Sequence, residues 1–299
     1  MATPHLGYLL RLPKFDYLEP KTIDEACSLL AQYKEKARVI AGGTDLLVSM
    51  KKREISPQYL VNIKAIPGLD SIVYSQKEGL RLGALTTLYE IESSPIIRER
   101  FPILADAAHQ TGTPHIRNVG TVGGNLCNAA PSADTAPPLI ALQAKVKIRG
   151  LQGERTVALE DFFLGPGQSV LQAGEILTEI LVPSPPAYTR GIYLKLPART
   201  IIDIAVAAVA AVITLDAKGR TVVDARLVLG AVAPTPIRAD IAEDIIRGKA
   251  IEDKLIETAA RAAAQQAKPI SDVRGSADYR KEMVRVLVSQ AIRQAVTAG

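Results

Sequence analysis

Two glycine pairs limit what this chain can fold into more than any other feature. Gly42 and Gly43 end the β-branched run of "RVIAGGTDLL" and precede a short apolar helical stretch. Gly123 and Gly124 lie in "TVGGNLCNAAPSAD", residues 121–134, again just ahead of an apolar helix. Glycine adopts φ > 0 cheaply and lets a backbone approach another group closely. Successive amides in such a turn make a concave anion site, and a helix N-terminus behind it adds favourable partial charge. A pyrophosphate suits that chemistry. Both loops are therefore expected to turn main-chain amides toward one dinucleotide held between two subdomains. Thr121 and Asn125 flank the second pair and can donate to phosphate oxygens or sugar hydroxyls. Asp134 suits a ribose or ribityl hydroxyl, because its charge would repel phosphate. Neither loop matches GxGxxG or GxxxxGK[ST], so Rossmann and P-loop folds lose support.

Around these loops the chain alternates helical and extended patterns. Thr22 and Glu25 have capping-box spacing, and Ile23, Ala26, Cys27, Leu30 and Tyr33 share one helical face. Cys27 is thus a core thiol. "RVIAGG" is a strand, Thr44 or Asp45 is placed to cap "LLVSMKKR", and "YLVNI" is a second strand. The solvated "KKR" end suits the helix macrodipole. "SIVYS" and "GLRLGAL" form a hairpin, and helices follow near residues 88–99 and 102–110. Residues 111–137 are rich in Gly, Pro, Asn, Thr and Ser, and predict a long irregular segment. Strands "KVKI" and "GEILTEILVPSP" come next, with a linker at Pro183 to Pro186. Beyond it "GIYLKL" is a strand. "DIAVAAVAAVITLDAKGRTVVDARLVLGAV" is two buried strands joined at "DAKGR", and three helices end the chain.

Composition narrows the function. The 299 residues are 47% hydrophobic and 22% charged, enough for two or three globular domains. The net charge of +5 could serve anionic ligands, but no basic run is interleaved with aromatics, so nucleic-acid binding is not expected. The two cysteines, Cys27 and Cys127, have no ligand spacing for zinc or an iron–sulfur cluster, and their low number favours a reducing compartment. His5, His109 and His115 show no metal spacing, so no metal site is expected. The N-terminus lacks a basic start and an apolar core segment, and "IIDIAVAAVAAVITL" is short for a membrane span and carries Asp203. A cytoplasmic, soluble protein follows. No proton-transfer machinery for a substrate is evident, which fits a protein whose cofactor carries the chemistry.

At "AGGTDLL" and "IRNVGTVGGNLCNAAPSADTAPPLIALQAKV" the chain resembles the FAD-binding medium subunits of the molybdenum hydroxylases, the xanthine dehydrogenase and carbon monoxide dehydrogenase type. The likeness runs from "FDYLEPKTIDEACSLL" through "GIYLKLPARTIIDIAVAAVAA". It implies an α+β chain. An FAD-binding domain of the PCMH type would span residues 1–182, as two α/β subdomains at about 1–63 and 64–182. A C-terminal domain of antiparallel strands and helices would span residues 187–299. The resemblance places Val39, Ile40, Ala41, Gly42, Gly43, Thr44 and Asp45 at FAD. It does the same for Thr121, Gly123, Gly124, Asn125, Asn128 and Asp134. It sets Leu177 near the adenine or flavin ring, and Tyr193 and Lys195 at the isoalloxazine. No catalytic residue is expected beyond the flavin.

The resemblance also implies partners: a large molybdenum-cofactor subunit and a small [2Fe–2S] subunit, in a dimer of heterotrimers. Electrons would pass from the partner's clusters through FAD to an external acceptor. The isolated cysteines argue against the branch with a cluster inserted in its flavoprotein subunit. A stand-alone flavin oxidase or reductase of the same fold is one alternative. A flavin-free scaffold subunit is another.

Overall fold

The computed structural model describes residues 11–199 and 203–297. His5, the first ten residues of the N-terminal segment and the start of the "IIDIAV" run lie outside the described residues.

The N-terminal sheet is parallel and three-stranded, with β1 (Asp16–Leu18), β2 (Ala37–Ile40) and β3 (Tyr59–Asn62) in the order β1-β3-β2. Parallel strands need a crossover, and α1 (Ile23–Tyr33) supplies the one from β1 to β2, which flank β3. Thr22 caps α1 by accepting from the Glu25 amide at 3.1 Å. The return half of the expected box is displaced by one residue, since Glu25 accepts from the Lys21 amide. Ala26, Cys27 and Leu30 turn inward against Val61 and Ile63, so Cys27 is a core residue. After β2 the chain turns through the first glycine pair into α2 (Leu46–Lys51). Asp45 is its N-cap by position, but neither its side chain nor that of Thr44 makes a capping bond.

The second sheet is antiparallel and five-stranded. Its strands are β4 (Ile72–Ser75), β5 (Gly79–Gly83), β6 (Lys145–Gly150), β7 (Gly153–Ala158) and, after the small β8 (Phe163–Gly165) and β9 (Gln168–Ser169) hairpin, β10 (Ile176–Val182). The order β4-β5-β10-β6-β7 places β10 at the centre. Six short helices lie between β5 and β6. α3 (Leu88–Ser93) begins with a complete Thr87–Glu90 capping box. The single helix expected near 88–99 divides at Ser94, because Pro95 starts α4 (Pro95–Arg100). α5 (Pro102–His109) and α6 (Pro114–Arg117) follow. The second glycine pair, read as part of an irregular segment, lies inside α7 (Val122–Asn128). The Thr121 side chain caps α7 from the Gly124 amide, and that bond outweighs the low helix propensity of two glycines and two asparagines. α8 (Ala136–Ala141) leads into β6.

The C-terminal sheet is antiparallel, with β11 (Thr189–Pro197), β12 (Ala205–Leu215), β13 (Val222–Gly230) and β14 (Ile237–Arg238) in sequence order. β12 is buried on both faces. Ala207, Val209, Ala211 and Ile213 meet α9 (Asp240–Ile246), α10 (Asp253–Gln266) and α11 (Ala277–Thr297). Ala208, Ala210 and Val212 point the other way, into the core under the five-stranded sheet. This two-sided burial explains an almost unbroken run of alanine and valine. It also seats β11 directly beside the elements that carry the second glycine motif.

Candidate functional site

The two glycine motifs meet. An added Cβ at Gly42 would stand 2.1 Å from the Val119 carbonyl oxygen and 3.0 Å from the Gly120 Cα. The absence of a side chain here lets the first loop press on the backbone leading into α7. That backbone is fixed in turn: the Leu88 amide donates to Gly120, the Val122 amide to Thr86 and the Gly123 amide to Ala84. Gly123 packs just as tightly, its Cβ position lying 2.6 Å from the Ala84 carbonyl oxygen. Gly42 and Gly123 are thus glycine for contacts within the protein. Gly43 sits at φ +73°, which an L side chain adopts at a cost. Gly124 has only the Thr121 hydroxyl near its Cβ position and is otherwise open.

Between the three- and five-stranded sheets lies a cleft of ≈ 760 Å³, within the usual size of a small-molecule site. Val39, Ala41, Gly42, Gly43, Thr44 and Asp45 line it from the first sheet, and Thr121, Gly123, Gly124, Asn125 and Asn128 from α7 and its cap. Leu177 on β10 adds to an apolar wall with Ile176, Leu85 and Leu88. Ile40 is not in the lining; it packs with Met50 and Leu60 beneath α2.

The two motifs offer different donors. Among the described residues the main-chain amides of Gly42, Gly43, Thr44 and Asp45 have no protein acceptor. In the second motif the amides of Gly120, Val122, Gly123, Gly124 and Asn125 are bonded internally, while the Thr121 amide has no acceptor among the described residues. The second motif therefore offers fewer main-chain donors than expected. The first loop offers main chain, and the second offers the Thr121 amide and the side chains of α7. Asn125 is the clearest of these. Its Oδ1 accepts from the Thr135 hydroxyl at 2.6 Å, which leaves both Nδ2 protons available.

Asp134, Tyr193 and Lys195 do not line the cleft. They form a separate buried cluster where β11 meets the loop before α8. Tyr193 Oη donates to Asp134 Oδ1 at 2.7 Å, and Lys195 Nζ to Asp134 Oδ2 at 2.7 Å and to the Gln110 carbonyl at 2.9 Å. The Lys195 side chain is only 3% exposed. Both Asp134 oxygens already accept from protein donors, one each, and the carboxylate lies outside the cleft lining. Burial lifts the Asp134 carboxyl above its ordinary value against the opposing pull of Lys195 and Tyr193. Burial, then the Asp134 charge, pushes the Tyr193 phenol well above its own.

Two further groups at the cleft carried no signal in the sequence. Glu175 lies in the lining and accepts from Arg155 through both oxygens at 2.8 Å. The Arg155 bonds hold its carboxyl below the ordinary glutamate range despite partial burial. Cys127 faces the cleft too, but burial pushes its thiol up to about 12, so it is no nucleophile at neutral pH. Ile176, Leu85 and Leu88 read as ordinary core positions, because an apolar strand residue facing a ligand looks in sequence like one facing protein. Of the histidines, His109 bonds Glu92 through Nδ1 at 2.7 Å, and His115 is exposed.

Comparison with known proteins agrees over nearly the whole chain. Residues 13–185 match the family described as the FAD binding domain in molybdopterin dehydrogenase, and residues 192–295 the CO dehydrogenase flavoprotein C-terminal domain. The chain is 37% identical to the carbon monoxide dehydrogenase medium chain of Hydrogenophaga pseudoflava, over 95% of this chain and 97% of that one. It is 32% identical to the xanthine dehydrogenase FAD-binding subunit of Escherichia coli O157:H7, over 95% and 96%. Among solved structures it is similar to carbon monoxide dehydrogenase from Hydrogenophaga pseudoflava lacking the Mo-pyranopterin moiety of the molybdenum cofactor. The TM-score is 0.92 at 38% identity, covering 96% of this chain and 98% of that chain.

Proposed function

The chain belongs to the FAD-binding medium subunits of the molybdenum hydroxylase family, and we propose that it holds FAD in the cleft between its two N-terminal sheets. It is the flavin-carrying subunit of a multi-subunit oxidoreductase, with molybdenum and iron–sulfur centres on other subunits. One observation carries the site assignment: residues 42–45, whose amides have no acceptor among the described residues, and Asn125, whose Oδ1 is already taken, line one cleft built jointly by the two glycine motifs. A diphosphate needs converging neutral donors of this kind. The apolar wall of Leu85, Leu88, Ile176 and Leu177 suits flat aromatic rings.

FAD, when bound, supplies one- and two-electron redox chemistry. The residues of this chain bind and orient it. Gly43 and its neighbours would donate to the diphosphate, Asn125 would donate from the α7 side, and Leu177 would pack against a ring. Glu175, neutralised by Arg155, keeps a carboxylate at the rim without net repulsion. Within the complex, a large subunit would hold the molybdenum that oxidises substrate. The [2Fe–2S] clusters of a small subunit would supply electrons to this subunit, which would hand them to an external acceptor. The assembly is a dimer of heterotrimers in the cytoplasm. The medium-chain relatives support a multi-subunit assembly, and no helix among the described residues is long and apolar enough to cross a membrane.

Gly124→Val tests the site. The added side chain would strike the Thr121 cap at 2.8 Å and project into otherwise open space. Purified chain should show a flavin spectrum that acid denaturation releases as free FAD, and the variant should show none. Undiminished flavin in Gly124→Val would refute the site.

A further inference from the structure

We propose that Thr135 is a positioning residue for the flavin nucleotide, anchored by the Asp134–Lys195–Tyr193 cluster and acting through Asn125. This rests on the assignment of FAD to the cleft and adds a part of its machinery that does not touch the ligand.

The first observation is what Thr135 does not do. It occupies the N-cap position of α8, where a threonine hydroxyl normally accepts from the second or third amide of the helix. Here it makes no capping bond. Those helix positions are Pro137 and Pro138, which have no N–H to offer. The hydroxyl of a 3%-exposed threonine is thereby left for another partner, and it donates to Asn125 Oδ1 at 2.6 Å.

The second observation is what that bond fixes. Asn125 stands within α7, and an asparagine on a helix tends to swing its carboxamide toward nearby main chain. Occupying Oδ1 fixes which end of the carboxamide is which, so Nδ2 is the end presented to the cleft. A ligand donor set in advance loses less freedom on binding.

The third observation is how Thr135 is held. Its neighbour Asp134 is bonded by Tyr193 and Lys195 from β11, and Lys195 also grips the Gln110 carbonyl at the end of α5. A buried carboxylate with one strong donor on each oxygen has a single orientation. The C-terminal sheet therefore reaches the cofactor cleft through two adjacent residues, Asp134 and Thr135.

The test uses the full-length chain stripped of flavin and titrated with FAD. Thr135→Val removes the hydroxyl at nearly constant shape and should weaken FAD binding about tenfold, which is ~1.4 kcal/mol. Thr135→Ser should restore it. Asn125→Ala should weaken binding as well, and the Thr135→Val/Asn125→Ala double variant should bind no worse than Asn125→Ala alone, because Thr135 acts only through that side chain. A general structural role would instead add a further loss in the double variant. Lys195→Met should weaken binding and alter the visible circular dichroism of the bound flavin in the same sense as Thr135→Val. If Thr135→Val does not fold, Thr135→Ala carries the same comparison. Wild-type affinity in Thr135→Val, or a double variant clearly worse than Asn125→Ala, overturns the positioning role alone. A wild-type chain that takes up no FAD overturns the cofactor site together with it.

Discussion

Replacing Gly42 by alanine separates the two parts of the site by a known amount. The new Cβ would lie 2.1 Å from the Val119 carbonyl oxygen. Carbon–oxygen contacts rarely fall below about 3.3 Å, so the loops must part by about 1.2 Å. The atoms in the way are backbone, held by the Leu88–Gly120 and Val122–Thr86 bonds, and cannot rotate aside. Overpacking of this kind costs ~1–3 kcal/mol, or about 5 °C in Tm for a protein of this size. The effect on FAD should be larger. A shift of about 1.2 Å forfeits two charge-assisted amide bonds at about 1.5 kcal/mol each, which is roughly 100-fold in Kd. Gly43→Ala is the control. Its φ of +73° makes it costly, by ~1 kcal/mol, but its Cβ would meet only flexible side-chain atoms of Ile40 and Leu47 at 3.3 Å. The two variants should differ modestly in apoprotein melting and widely in FAD titration by fluorescence quenching. A Gly42→Ala protein that binds FAD within about threefold of wild type would refute the reasoning.

The Glu175 carboxyl is depressed in the folded state by Arg155, so its contribution to stability is fully present above the unfolded value of about 4.3 and is lost as pH falls through the lower folded value. Glu175→Gln should flatten the acid limb of a plot of urea midpoint against pH below about pH 4.3, and an unchanged limb would count against the Arg155 pairing. Thr87→Ala removes one half of the complete capping box and should cost about 1 kcal/mol by urea denaturation. Ala208→Leu overfills the seam between the C-terminal sheet and the FAD-binding core and should cost ~1–3 kcal/mol, where the same change at a surface alanine would be nearly neutral. Lys195→Met strands a buried Asp134 carboxylate and should cost about 3–5 kcal/mol, of which Asp134→Asn in the same chain should recover a measurable part.

Much of this protein was legible in its amino-acid order because the signals are local. The capping threonines, the strand and hairpin patterns and the three C-terminal helices depend on spacing, and spacing survives in a string of letters. The motif segments around the glycine pairs identified the family for the same reason. Other features depend on which backbones pass close to one another. Gly42 and Gly43 read alike, yet one is glycine because Val119 lies against it and the other because of its own φ. Gly123 and Gly124 read as loop, and a capping bond from Thr121 made them helix. Tyr193 and Lys195 are 59 and 61 residues from Asp134 along the chain, and only the seating of β11 against the α7–α8 region makes the three a cluster outside the cleft lining. Local chemistry set the inventory of elements and donors. Long-range packing decided which donors were already taken, because a hydrogen bond made inside the fold is one no ligand can use.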